Sequence, residues 1–252
     1  MRRLLGETFT LLGANLNLFT LISLSVWLPG HVIRNYFEFF GEPETGPLQS
    51  LQAMLAIQVV FDPLVVSATL SALGRIKQGL PVGYTSAMIE GLAAWGRLLI
   101  ARFVINVGVA LPALGAMLAA PLRGPAAIAA GVGFLAVAVL TVVLLVRFSV
   151  VDSVVVLERG TALTAWRRAA ALTAGQRWSI LWTLVTLFLA VLSFAFVVGQ
   201  VFRLAPELNH FVPRVLLDCV VSVAQSLFTI ALFLFYWRAR EGAALPARLA
   251  AR

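Results

Sequence analysis

The sequence predicts an all-α, polytopic membrane protein with six transmembrane helices and three cytoplasmic interfacial helices. Three observations carry that prediction: the composition, the length of the apolar blocks, and an order of elements that recurs three times. Of the 252 residues, 61% are apolar and only 12% are charged. Ordinary soluble domains hold about 45–50% and about 25%. The apolar residues stand in blocks of about 20, the length a helix needs to cross a bilayer. With no water in the bilayer core, only helices and closed barrels satisfy every backbone group. Continuous apolar runs without two-residue alternation exclude the barrel.

Taken in order, residues 2–13 form the first interfacial helix. Leu5, Phe9 and Leu12 lie on one side and Arg3, Glu7 and Thr10 on the other. Span one covers residues 18–37, where Pro29-Gly30 is expected to kink or interrupt the helix. An acidic, turn-forming connection leads to span two, residues 50–73, which contains Asp62-Pro63. Residues 84–95 form the second interfacial helix, with Tyr84, Met88, Leu92 and Trp95 opposite Ser86 and Glu90. Span three covers 96–118 and span four 126–150, joined by a PLRGP turn. The third interfacial helix, 161–173, groups Leu163, Trp166 and Ala170 away from Thr164 and Arg168. Span five is 178–202, span six 212–237, and a basic tail occupies 238–252. The whole chain, 1–252, reads as one integral membrane domain.

Charge sets the orientation. With both termini cytoplasmic, 15 of the 19 Lys and Arg fall inside, and only Arg34, Arg123, Arg203 and Arg214 fall outside. Cationic residues gather on the cytoplasmic side of membrane proteins. The net charge of +8 therefore needs no nucleic-acid partner. Cys219 is the single cysteine, so no intrachain disulfide or CxxC pair exists. The first span lacks a small-residue cleavage site before it and reads as mature sequence.

Residues 1–79, 80–160 and 161–242 each repeat the order surface helix, span, span. At a shift of 80 residues, Leu12, Leu92 and Leu172 superpose, as do Ala14, Ala94 and Ala174. Arg97 meets Arg177, with Asn17 in the first copy, and Gly79, Gly160 and Gly242 close the three units. Each unit crosses twice, so the copies are parallel and the implied pseudo-threefold axis runs along the membrane normal.

One stretch resembles a known family. It holds Arg147, the apolar run to Val156-Leu157-Glu158, Ala162-Leu163, Arg167-Arg168, Leu172-Thr173, Gly175 and Arg177-Trp178. Over residues 146–181 it is similar to a bacterial six-span membrane-domain family of the YciC type. That family also occurs as the membrane domain of some glycerophosphodiester phosphodiesterases. The resemblance implies a bacterial cytoplasmic (inner) membrane location and a membrane domain alone. The soluble phosphodiesterase barrel of such fusions has no residues here, so no catalytic residue carries over.

Ionisable residues inside spans are expensive and usually have a partner or a task. Asp62, Arg102, Arg147 and Asp152 are the candidates, with Asp218 nearer the outer face. Counted from Gly79 and Gly160, Asp62 and Arg147 differ in depth by about 6 Å, which favours an ion pair between them. Arg102 and Asp152 form a second expected pair. Asp62 and Asp152 differ by roughly 13 Å along the axis, too far for paired-carboxylate chemistry in unbroken helices. Gln58, Asn106, Gln200 and Gln225 suit interhelical hydrogen bonds. No metal cluster, P-loop, nucleophile elbow or dinucleotide fingerprint is present, and no cofactor is implied.

Trp95, Trp166, Trp178 and Trp237 fall at expected cytoplasmic interfaces, where tryptophan anchors a span. With Arg159, Arg167, Arg168 and Arg177 they form a belt suited to anionic headgroups. The expected function is a non-enzymatic, lipid- or partner-engaging scaffold, its partners being membrane lipids and a membrane or cytoplasmic protein. The alternatives are a transporter or channel for a lipid or small amphiphile, and an intramembrane enzyme.

Overall fold

The computed structural model describes residues 2–41, 46–119, 125–205 and 210–250. Side chains are described at 3–41, 49, 52, 56–103, 131–205 and 210–242. Asn106, the 121–125 turn, and the arginines at 123, 248 and 252 therefore lie outside the described side chains. Every described element is helical: α1 (Arg2–Ala14), α2 (Leu16–Phe40), α3 (Gly46–Lys77), α4 (Tyr84–Ala119), α5 (Pro125–Arg147), α6 (Val151–Leu157), α7 (Ala162–Leu172), α8 (Arg177–Leu204) and α9 (Phe211–Ala250). Among the described residues, five segments are long and apolar enough to cross a membrane: Leu16–Phe40, Ala56–Lys77, Gly131–Leu157, Arg177–Leu204 and Phe211–Gly242. The chain is a multi-pass helical membrane protein. The further span expected at 96–118 falls within α4, beyond whose residue 103 side chains are not described.

The helices differ in how far they are enclosed. The apolar window of α3 is 56% buried, whereas those of Gly131–Leu157 and α8 are only 17% buried. Hence α3 is central, and α5 and α8 present most of their surface outward. Leu135, Leu140, Phe188 and Phe196 are all exposed there, as lipid-facing residues are in a helix bundle. At one end of the bundle, α3, α6 and α9 are mutually in contact. The buried core there includes Leu70, Leu73, Val155, Ile230, Phe233 and Tyr236.

Small residues set the closest approach. In α4 the protein-facing stripe is Ala87, Gly91, Ala94, Leu98 and Ala101, all buried. A Cβ on Gly91 would lie 2.6 Å from the Ala68 backbone nitrogen. Absence of that side chain lets α3 and α4 touch backbone to backbone, as small residues do in membrane helix pairs. The Ser67 hydroxyl then donates to the Gly91 carbonyl across 2.9 Å.

Three expectations change. The segment 84–95 is not a separate surface helix; α4 is unbroken through Trp95-Gly96 and runs along α3. Of its bulky stripe, Tyr84 and Leu92 are exposed while Met88 and Trp95 are partly buried, and the small stripe is fully buried. In α7, Ala165, Ala169 and Leu172 are buried and Leu163 is 65% exposed, with Trp166 partly buried against the core. In α1 the expected face is divided: Phe9 is 51% exposed, while Leu5 and Leu12 are partly buried against the core beside the buried Leu4 and Thr8. Proline gives the second change: α2 continues through Pro29 without interruption.

The third concerns residues 126–150, expected as one helix. α5 ends at Arg147, a turn occupies Phe148–Val150, and α6 restarts at Val151. Helix ends leave carbonyls without intrahelical donors, and the Thr173 hydroxyl donates to that of Arg147 at 2.8 Å. At the C-terminal end, residues 238–250 of the basic tail continue α9 as helix.

Each segment expected at the surface packs on the last helix of the preceding hairpin: α4 on α3, α7 on α6, and α1 on α9. An ion pair ties each contact. Arg75 meets Glu90 at 2.6 Å, Arg168 meets Glu158 at 3.5 Å, and Arg238 meets Glu7 at 2.5 Å. Lys77 also reaches Glu7, at 2.7 Å. Burial alone would raise the Glu7 carboxyl, but the hydrogen bonds and charges of Lys77 and Arg238 outweigh it and lower it.

Candidate functional site

The intramembrane charges assemble around one arginine. Arg102, on α4, donates through Nη2 and Nε to Asp152 of α6, at 2.6 and 3.1 Å. Its Nη1 donates to Asp62 of α3. Three helices are thus joined by one guanidinium, whose planar fork suits two carboxylates at once. The partner of Asp62 is Arg102 and not Arg147. Arg147 is exposed at the end of α5, with its guanidinium 5.6 Å from the ring centre of Phe148. Depth counting along a straight helix fails there because the turn at Phe148–Val150 separates Arg147 from α6. The same turn brings Asp152 to the guanidinium that holds Asp62, so the 13 Å separation does not apply. Asp62 and Asp152 share a permanent cation. That arrangement is an ion-pair clamp.

The belt residues divide by what they touch. Trp95 donates its indole N–H to the Val60 carbonyl at 2.7 Å, beside Pro63, and so fastens α4 to α3. Trp166 is half-buried with its ring centre 5.2 Å from that of Phe148, and its indole nitrogen is buried without a partner. Trp178 is 73% exposed at the start of α8, as an interfacial anchor requires. Trp237 donates to Glu241 at 2.7 Å, with Arg240 over its ring. Arg159, Arg167, Arg168 and Arg177 are all exposed. Of these, Arg168 alone has a carboxylate partner among the described residues, Glu158.

Two cavities stand out. The first lies between α2, α3 and α9, with a volume of about 130 Å³. His31 and Asn35 of α2, one turn apart, face Ser222 and Asp218 of α9, also one turn apart. His31 Nε2 is 2.8 Å from the Ser222 hydroxyl, and Asn35 donates to Asp218 at 2.8 Å. Arg34 reaches the same Asp218 oxygen at 3.4 Å. Gln58 and Gln225 also line this cavity. Sequence reasoning passed over the cluster, although two polar pairs at i, i+4 in α2 and α9 were the signal for facing polar stripes.

The second cavity, about 890 Å³, opens where the ends of α3 and α6 meet the first half of α4. Arg75, Arg97 and Arg159 line it, with Gln78 and the apolar Leu80 and Ile100. Arg97 donates to the Arg159 carbonyl at 3.3 Å. Arg159 has φ 54°, the left-handed region, where side chains bearing a Cβ are strained. Among the described residues, no group of three His, Cys, Asp or Glu converges as a metal site. No family model, curated protein or solved structure matches this chain.

Proposed function

We infer that the protein is a non-enzymatic scaffold of a bacterial cytoplasmic membrane, built from three parallel repeats, with both termini cytoplasmic. Its arginine-rich end engages anionic lipid headgroups of the inner leaflet. The observation that carries this reading is the division of its arginines. Arg102, deep in the helix bundle, is saturated by two carboxylates, while Arg159, Arg167 and Arg177 are exposed and lack carboxylate partners among the described residues. A path for a charged amphiphile needs uncompensated polar groups along its length; a surface that recognises headgroups needs them at one end. Each such cation adds about 1 kcal/mol near an anionic leaflet.

The cyclic packing of α1 on α9, α4 on α3 and α7 on α6 supports the repeat, as does the buried i, i+4, i+7 stripe common to α4 and α7. The likeness of residues 146–181 to the six-span domain family belongs to the same reading. The test replaces Arg167, Arg168 and Arg177 by glutamine and measures adsorption of the reconstituted protein's soluble-facing surface to phosphatidylglycerol-doped vesicles. Weaker adsorption, approaching that to neutral phosphatidylcholine, is expected. An unchanged anionic preference contradicts the scaffold reading.

A second reading, transport of a small polar solute, draws on the cavity at His31 and Asp218. It requires access from water. With Cys219 replaced by serine, a Gln225→Cys variant labelled by a membrane-impermeant thiol reagent supports it, and complete protection opposes it.

A further inference from the structure

We propose that the cleft between α3, α4 and α6 is a discrete binding site for one phosphate ester, the headgroup of an anionic lipid, held by Arg97 and Arg159. The proposal rests on the scaffold reading for its source of ligand, and on the cleft itself for its chemistry.

Charge comes first. Arg75 is already neutralised by Glu90 at 2.6 Å and donates through Nε to the Pro81 carbonyl at 2.9 Å. Glu90 lines the cavity as well, engaged by Arg75, while Arg97 and Arg159 line it with no carboxylate partner among the described residues. Two uncompensated guanidiniums facing one cleft match the one to two negative charges of a phosphate ester. Guanidinium forks bind phosphate oxygens with charge-assisted, paired hydrogen bonds.

The backbone is arranged to present them. Arg159 takes up the left-handed conformation directly after α6, a position where glycine is the ordinary choice. A glycine follows immediately at 160, so the chain had a cheaper way to make this turn. The strained residue carries a guanidinium instead, and its carbonyl holds Arg97 in place. Strain of this kind costs of order 1–3 kcal/mol and collects at ligand sites.

Shape and polarity complete the fit. A cavity of about 890 Å³ lies within the range of about 300–1,000 Å³ for small-molecule sites. Its back wall is tight: a Cβ on Gly74 would stand 2.8 Å from a Leu157 methyl, so α3 and α6 close behind the cleft. Leu80 and Ile100, 48% and 64% exposed, form an apolar rim, while Gln78 supplies an amide for a glycerol hydroxyl. A phosphate with an attached acyl chain satisfies both halves. Free phosphate satisfies only the basic half.

The experiment is native mass spectrometry of the full chain from phosphatidylcholine nanodiscs doped with phosphatidic acid. The expected result is one phosphatidic acid retained per chain. Retention should fall about tenfold or more in Arg97→Gln and Arg159→Gln and recover partly in Arg97→Lys. Melting temperatures measured in parallel confirm folding. The Arg167→Gln/Arg168→Gln/Arg177→Gln variant should keep the single bound lipid even where its vesicle adsorption is lost. That pattern separates failure of the belt from failure of the cleft. Displacement of the lipid by millimolar glycerol 3-phosphate assigns the site to soluble phosphate esters and overturns the lipid source. Equal retention by wild type and both Arg→Gln variants overturns the site altogether.

Discussion

Arg97 and Arg102 stand five residues apart on α4, about 7.5 Å along the helix axis, and their surroundings are opposite. Arg102 is met by carboxylates from α3 and α6, and its donors are used within the protein. Arg97 meets a carbonyl and an open cleft. The residue type and the helix are the same, so neither decides the role. What decides it is whether the neighbouring helices bring anions. Where they do, the arginine closes the bundle; where they do not, it is left to bind something from outside.

The largest effect should come from removing the closed arginine. Arg102→Met leaves Asp62 and Asp152 facing each other without a cation. The cluster is partly buried, with Asp62 39% exposed, so the loss should be about 3 kcal/mol, the low end for a buried pair. Thermal unfolding in detergent should show it. Neutralising all three together, as Asp62→Leu/Arg102→Met/Asp152→Leu, should recover most of that loss, because no uncompensated charge remains. If the triple variant stays as unstable as the single one, the clamp is contributing more than charge balance.

Next in size is Gly91→Val. It forces side-chain atoms into the Ala68 backbone and should destabilise by about 1–3 kcal/mol as an overpacked contact. The strain parts α3 from α4, so this variant should also loosen the cleft and release bound lipid. Gly131→Ala in α5, with open space at the Cβ position, should do neither.

A smaller effect belongs to Glu7. Its folded carboxyl titrates below the ordinary value of 4.5, so its contribution is complete above that pH. The contribution disappears as pH falls below 4.5 and the carboxylate is protonated in the folded state. At neutral pH, Glu7→Gln should cost about 0.5–1 kcal/mol, typical of partly exposed pairs. Its melting temperature should fall less steeply than that of wild type as the pH is lowered from 5 to 3. Smallest of all in stability is Arg97→Gln, expected within about 0.5 kcal/mol of wild type.

The class of fold was legible because apolar length and charge asymmetry are properties of whole segments. Packing faces were not. In α4 and α7 the bulky residues read as the packed face, yet Leu92 and Leu163 are exposed and the fullest burial belongs mainly to small residues. Lipid accepts Leu92 and Leu163 as readily as a protein core does, whereas only Ala87, Gly91, Ala165 and Ala169 allow a second helix close. Hydrophobicity cannot distinguish these faces in a bilayer; side-chain size can. The Asp62–Arg147 expectation failed for a different reason. The run from 126 to 158 contains no proline or glycine at 148–150, so nothing in its composition announced the turn that ends α5. Arg102 and Asp152 were recognisable as ionisable residues out of place, but their sharing with Asp62 depends on that turn. The His31–Asp218 cluster was missed because Asp218 was weighed alone, as a residue nearer the outer face, and not as part of two facing pairs.

The most direct test of the contrast between the two arginines measures both properties on both variants. Arg97→Gln and Arg102→Gln would be reconstituted in the same anionic nanodiscs, and each scored for melting temperature and for bound phosphatidic acid. A crossed result is expected: Arg102→Gln melts markedly earlier, and Arg97→Gln melts like wild type but loses the lipid. Parallel changes in both variants, or lipid loss confined to Arg102→Gln, would contradict it.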